Sequence, residues 1–171
     1  MEKDRHNHKS RSRWKFFSKH PTLGYSHIAG KFTVTLGDGY SFKVTHLPNT
    51  LRITHPLNTY GQEDLQKEEI WIFGCSFTHG WSLNDQETYP WFIQQRFPEY
   101  EVINFGVSGY GTIHSLIQLN EALEKGRRPK IAVLTYGSLH DERNVFLRNP
   151  PKNGTFKENA SYLFFPSFVV K

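Results

Sequence analysis

A single cysteine in 171 residues leaves no partner for an internal disulfide, and it excludes any zinc site built on several thiolates. No apolar run approaches the roughly 18–20 residues that a bilayer-spanning helix needs. The N-terminus also lacks the apolar stretch of roughly 7–15 residues found in a secretory signal. Nothing in the chain directs export, so the expected compartment is the cytoplasm. No internal repeat is visible, and no Gly-x-Gly-x-x-Gly run follows a strand-like segment, which argues against a dinucleotide site.

Aromatic residues are abundant by contrast, with 14 Phe, 8 Tyr and 4 Trp, enough to fill a core and to exclude a wholly disordered chain. The net charge of +5 is concentrated at one end. Lys3, Arg5, Lys9, Arg11, Arg13, Lys15 and Lys19 outnumber Glu2 and Asp4 within residues 1–20, and the remaining charges cancel. This reads as a disordered, solvated basic arm on a neutral domain. A tail of that kind can touch nucleic acid or anionic lipid, but no groove-reading motif accompanies it, so neither nucleic acid nor a membrane is the expected partner.

Residues 21–66 read as a small β-hairpin appendage. Phe32, Val34 and Leu36 alternate with polar residues, Gly37-Asp38-Gly39 supplies a turn, and Phe42, Val44 and Thr45 continue a second strand. Residues 67–171 change to an α/β pattern. Ile70-Trp71-Ile72-Phe73 is a short continuous apolar run, as expected of a strand buried on both faces. Thr88 caps a helix that tolerates Pro90 in its first turn and stops before Pro98. A second strand over 101–105 leads through a glycine-rich turn to a helix near 112–125, whose apolar face is Ile113, Leu116, Ile117 and Leu123. Ile131 to Leu134 is a third strand expected to be buried. Strand–helix alternation of this kind predicts a parallel sheet covered by helices.

Ligands of open parallel sheets sit beyond the carboxyl ends of the strands. The first end is Gly74-Cys75-Ser76-Phe77-Thr78-His79-Gly80, where Ser76 stands as a nucleophile on a tight turn or, more blandly, as a cap. The second, Asn104-Phe105-Gly106-Val107-Ser108-Gly109-Tyr110-Gly111, lets backbone approach a substrate closely. The third, Tyr136 to Asn144, brings His140 and Asp141 to the same edge. Cys75 reads as a small inert core residue. The remaining histidines, among them His20, His27, His46 and His55, are scattered and show no metal-ligand spacing, so no metal and no cofactor are expected.

Together the three strand ends resemble the SGNH (GDSL-type) hydrolases, in the variant that carries Gly-Cys-Ser-Phe-Thr in place of Gly-Asp-Ser. The first block runs from Ile72 to Gly80 and on through Asn84 to Thr88. The turn at Gly109, 33 residues after Ser76, matches the second block, and Gly137 to Asp141 the third. Leu23-Gly24-Tyr25 and the hairpin after it resemble the lead-in of some bacterial members, so the likeness covers most of residues 21–149. The resemblance implies a flavodoxin-like three-layer α/β/α fold and hydrolysis of a small-molecule or carbohydrate ester. Ser76 would attack the carbonyl, the N–H groups of Ser76 and Gly109 would hold the oxyanion, and His140 would stand where that family places an asparagine donor. Thr78, Asn104 and Asp141 are the candidate substrate-contacting side chains.

The same resemblance implies an Asp-x-x-His block that supplies the general base, and none occurs after residue 141. Serine without a base is a poor nucleophile at neutral pH. Three expectations compete: an N-terminal part of a longer hydrolase, a non-catalytic α/β ligand-binding module that has lost the base, or a site in which His140 or His79 takes that role.

Overall fold

The computed structural model describes residues 16–59, 67–146 and 168–170. Residues 1–15, most of the expected basic arm, lie outside that set, as does most of the apolar end of the chain. Its central element is strand β5 (Glu69–Phe73), flanked in parallel by β6 (Glu101–Asn104) and β7 (Pro129–Leu134), giving the order β6-β5-β7. Four consecutive apolar residues of β5, Ile70 to Phe73, are buried, because both faces are covered. Ile70 and Ile72 pack with Val102 beneath Tyr89 and Ile93 of helix α2 (Tyr89–Arg96). Trp71 and Phe73 face the other way, against Phe105 and against Leu119, Ala122 and Leu123 of helix α3 (Thr112–Glu124). Alternation along a single strand thus separates two helical layers, and the fold is α/β with a parallel three-stranded sheet, as the sequence predicts.

Local signals position these elements. Thr88 has the extended backbone of an N-cap, Pro90 occupies the first turn of α2, and the helix ends at Phe97, before Pro98. Gln94 then clamps the next strand: its amide donates to the Tyr100 carbonyl and its carbonyl accepts from the Val102 N–H, both at 2.8 Å. Two sequence expectations fail here. In α3 the buried residues are His114, Ser115, Gln118 and Ala122, while Leu116 is exposed. Strand β7 is exposed too, with Ile131 46%, Val133 39% and Leu134 48% accessible. The cause is its edge position: α2 covers β5 and β6 on the face that Ile131 and Val133 share, α3 covers them on the face of Leu134, and among the described residues neither cover extends across β7.

The N-terminal part is all antiparallel. Strands β1 (Phe17–His20) and β2 (Gly24–His27) form one hairpin. Strands β3 (Gly30–Leu36) and β4 (Ser41–His46) form the second, as expected, and its turn uses the positive φ of Gly39. Strand β8 (Phe168–Val170) adds to the free edge of β3. Residues 17–20, which read as the end of a solvated tail, are therefore in a strand, and Phe16 beside them is fully buried among Val34, Phe42 and Val44. Apolar Phe16-Phe17 offers burial that the surrounding lysines and arginines obscure in the sequence.

The hairpins do not hang off the α/β unit. Arg52 makes single β-bridges to His46 on one side and Asn104 on the other. The Thr54 hydroxyl donates to the Val102 carbonyl at 2.8 Å. The Lys43 and Thr45 N–H groups donate to Asn84 Oδ1 and Asp85 Oδ1 at 2.9 and 3.0 Å.

Candidate active site

The crossover from β5 through α2 runs to one side of the sheet, and the crossover from β6 through α3 returns past β5 to the other side. Directions reverse between β5 and β7, so the crevice at their carboxyl ends is the topological switch point, the usual ligand site of such folds.

Ser76 opens α1 (Ser76–His79), a single helical turn directly beyond β5. Its side chain is half-buried and the neighbouring Phe77 is 69% exposed, so the turn faces the open edge. Ser76 is held by its own carbonyl, which accepts from the Gly80 and Trp81 N–H groups, each at 2.9 Å. Glycine is required at two places around it. A Cβ on Gly74 would fall 2.1 Å from Thr78 Oγ1, and one on Gly106 would fall 2.4 Å from the His79 nitrogen. The turn therefore rests directly on the backbone after β6, and Cys75 is buried beneath it.

At the second strand end the Val107 N–H donates to the Gly74 carbonyl at 3.2 Å, extending the ladder past the strands. Gly109 takes φ +89°, open to few residues other than glycine. The loop around it is fastened by tyrosines: Tyr25 Oη donates to the Ser108 carbonyl at 2.8 Å, and Tyr110 Oη donates to the Tyr25 carbonyl. Burial raises the pKa of both phenols, so they remain neutral donors.

At the third strand end, Leu139 begins helix α4 (Leu139–Phe146) and His140 is buried in its first turn. Its Nδ1 accepts from the Gly137 N–H at 3.3 Å. In the neutral ring the proton is then on Nε2, which is buried and has no partner among the described residues. Burial and the nearby Arg143 lower the pKa of this ring, which keeps it neutral. The ring is therefore arranged to donate rather than to accept. Arg143 and Asn144 of α4 reach back to the Tyr110 carbonyl and the Ile113 N–H at 3.1 and 3.2 Å, tying the second and third strand ends together.

The sheet thus places Ser76, Gly109 and His140 at one edge. Of the other three candidates, two have internal roles. Thr78 is fully buried, its hydroxyl accepting from Tyr89 Oη at 3.0 Å, and that phenol also bonds Thr135 at 2.8 Å. Asn104 is buried with its amide donating to the Thr78 carbonyl and its oxygen accepting from the Gly106 N–H. These two brace the turn from below. Asp141 is exposed and accepts from Tyr136 Oη at 2.6 Å.

No imidazole serves Ser76 as a base among the described residues. His140 has Nδ1 engaged by Gly137 and a proton on Nε2, and His79 is fully buried. The Nε2 of His79 lies 2.9 Å from His46 Nε2, and its Nδ1 is buried without a partner among the described residues. His27 completes this group: its ring is stacked on His46 at 4.2 Å and its centroid is 4.3 Å from that of His79. One ring nitrogen from each of the three lies within 4.8 Å of the others, a grouping able to hold a metal ion. His27 and His46, scattered in the sequence without metal-ligand spacing, are therefore brought together with His79. The three come from β2, β4 and α1, and no sequence spacing signals a cluster assembled by tertiary contacts. Burial holds all three pKa values low, that of His46 at about 3.

No protein-family model matches the chain, and no curated protein matches it. Among solved structures it is similar to the crystal structure of AlinE4, a SGNH-hydrolase family esterase. The identity is 26% and the TM-score 0.40, over 50% of this chain and 46% of that one. A substituted form of the same esterase matches equally well. The chain spans about half the length of the esterase it matches.

Proposed function

We propose that the chain carries the nucleophile and the oxyanion site of a serine ester hydrolase acting on a small acylated substrate, carbohydrate esters included. The observation that carries this reading is the position of Ser76, half-buried in a backbone-held turn at the carboxyl end of the central strand and beside the switch point. Ser76 Oγ attacks the acyl carbonyl, the ester alcohol leaves, and water releases the acid from the acyl-serine. The Ser76 N–H, the Gly109 N–H and His140 Nε2–H are the donors for the developing oxyanion. The protonation geometry of His140 supports donation, and it opposes use of the same ring as the base.

Acylation of the full chain by p-nitrophenyl acetate, followed by intact mass, tests the reading. The wild type is expected to gain one acetyl group at Ser76, and Ser76→Ala none. Equal labelling of the variant overturns it.

A second reading, a ligand-binding module without turnover, is favoured by one observation: neither His79 nor His140 contacts Ser76 Oγ. In that case short acyl esters protect the chain from thermal unfolding and are recovered unchanged.

A further inference from the structure

The cluster of His27, His46 and His79 lies outside the machinery proposed for Ser76, and its details favour a ligand over simple packing. Three imidazoles, each at most 3% exposed, meet within a shell formed by Phe16, Phe32 and Trp81. Two of their nitrogens, His27 Nε2 and His79 Nδ1, are buried with no partner among the described residues. An orphaned buried nitrogen costs about 1–3 kcal/mol, so two in one cluster call for an explanation.

His46 shows how the rings are oriented. Its Nδ1–H donates to the Ile28 carbonyl at 2.9 Å, which leaves a lone pair on Nε2 pointing into the cluster. Fixing the outer nitrogen of a histidine by a backbone carbonyl is the arrangement that prepares the inner one for a metal. The 2.9 Å gap to His79 Nε2 is now bridged by a proton on His79. Two nitrogens bound to one tetrahedral zinc are about 3.3 Å apart, so the pair needs to open by only a few tenths of an ångström. His27 must turn about its Cβ–Cγ bond to leave its stack on His46.

We infer that His27, His46 and His79 form a binding site for a late first-row transition-metal ion of the zinc or copper type, tying strands β2 and β4 to the helical turn that begins with Ser76. Neutral imidazoles without a carboxylate among them suit such ions and reject calcium or magnesium, which require oxygen. On binding, the His79 proton moves from Nε2 to Nδ1, so no net proton is released from the three neutral rings.

The test uses the full chain stripped by a chelator, then given Zn2+ or, under reductant in a separate arm, Cu+. Bound metal is counted after gel filtration. Because His6 and His8, two apart in the sequence, offer competing imidazoles, the assay uses the wild type and a His6→Ala/His8→Ala variant. One ion per chain in both, with affinity falling at least about 100-fold in His46→Gln and in His27→Gln, is the expected result. Retention of Zn2+, of Cu+ or of both assigns the ion. Failure of either chain to retain one equivalent, or equal retention by the histidine variants, overturns the inference. Long-range proton–nitrogen spectra of wild-type histidines before and after metal addition provide a readout independent of variant folding. Three shifted rings support the site, and unshifted rings sink it. Neither measurement depends on whether Ser76 is a nucleophile.

Discussion

The Arg52 Nε donates to Asp85 Oδ1 at 3.1 Å, and the arginine side chain is wholly buried. The same guanidinium also donates to the His79, Gly80 and Leu83 carbonyls at 2.6, 2.6 and 2.7 Å. It thus closes the segment after the Ser76 turn against the N-terminal hairpins. Burial lowers its pKa, while Asp85 acts in the opposite direction.

Replacing Arg52 with Met is therefore expected to destabilise the fold by about 3–5 kcal/mol, because it strands a buried carboxylate and removes the donor shared by the His79, Gly80, Leu83 and Lys43 carbonyls. Arg52→Lys should recover little, since one ammonium cannot reproduce the fork. Urea unfolding midpoints of the three chains check this; a loss below about 1 kcal/mol for Arg52→Met contradicts it.

Glycine substitutions should separate close packing from turn geometry. Gly106→Ala places a methyl group against the backbone of Thr78 and His79 and is expected to displace the Ser76 turn or prevent folding. Gly126→Ala, where φ is +81° and no atom lies within 4 Å, should cost only about 1 kcal/mol. Thermal midpoints of both variants provide the comparison.

His114 gives a pH dependence of calculable sign. Its Nδ1 accepts from the Gly111 N–H at 3.1 Å, and its ring stacks on Tyr110. Burial first, and Arg143 second, lower its pKa to about 4. The unfolded chain binds this proton near pH 6.5 and the folded chain does not, so the contribution is complete above pH 6.5 and is lost as pH falls towards 4. The loss is about 3 kcal/mol. His114→Gln keeps an acceptor for the cap without titrating, and its stability should fall less over the same range. Denaturant midpoints at about pH 7 and about pH 4.5 measure the difference.

His140 should reveal its role through the acylation rate. His140→Asn retains a side-chain donor and is expected to acylate within about tenfold of wild type. His140→Leu should lose about 3–4 kcal/mol of transition-state stabilisation. Stopped-flow release of p-nitrophenol reads both, and equal rates for the Leu and Asn variants would remove His140 from the oxyanion site.

The alternation of buried strands and capped helices is legible in the amino-acid order. Ile70 to Phe73, Thr88 with Pro90, and Gly126 carry their meaning locally, through periodicity and backbone preference. The three strand ends are legible for the same reason, since parallel topology carries each to one edge. The flanking strand β7 misleads, because an apolar run reports what a strand can bury, not whether a helix lies over it. Phe16 hides inside a basic stretch whose net charge conceals a single core anchor.

Local sequence suffices for the α/β order, the β3–β4 hairpin and the place of Ser76 at a strand end, because each depends on neighbours within one turn or strand; the roles expected of Gly109 and His140 rest on the family resemblance. Packing between distant segments settles the remainder. It turns Thr78 and Asn104 inward, it buries His140 with Nδ1 on the Gly137 N–H, and it gathers His27, His46 and His79. Those outcomes depend on side-chain directions summed over three separate elements, and no spacing along one chain encodes that sum.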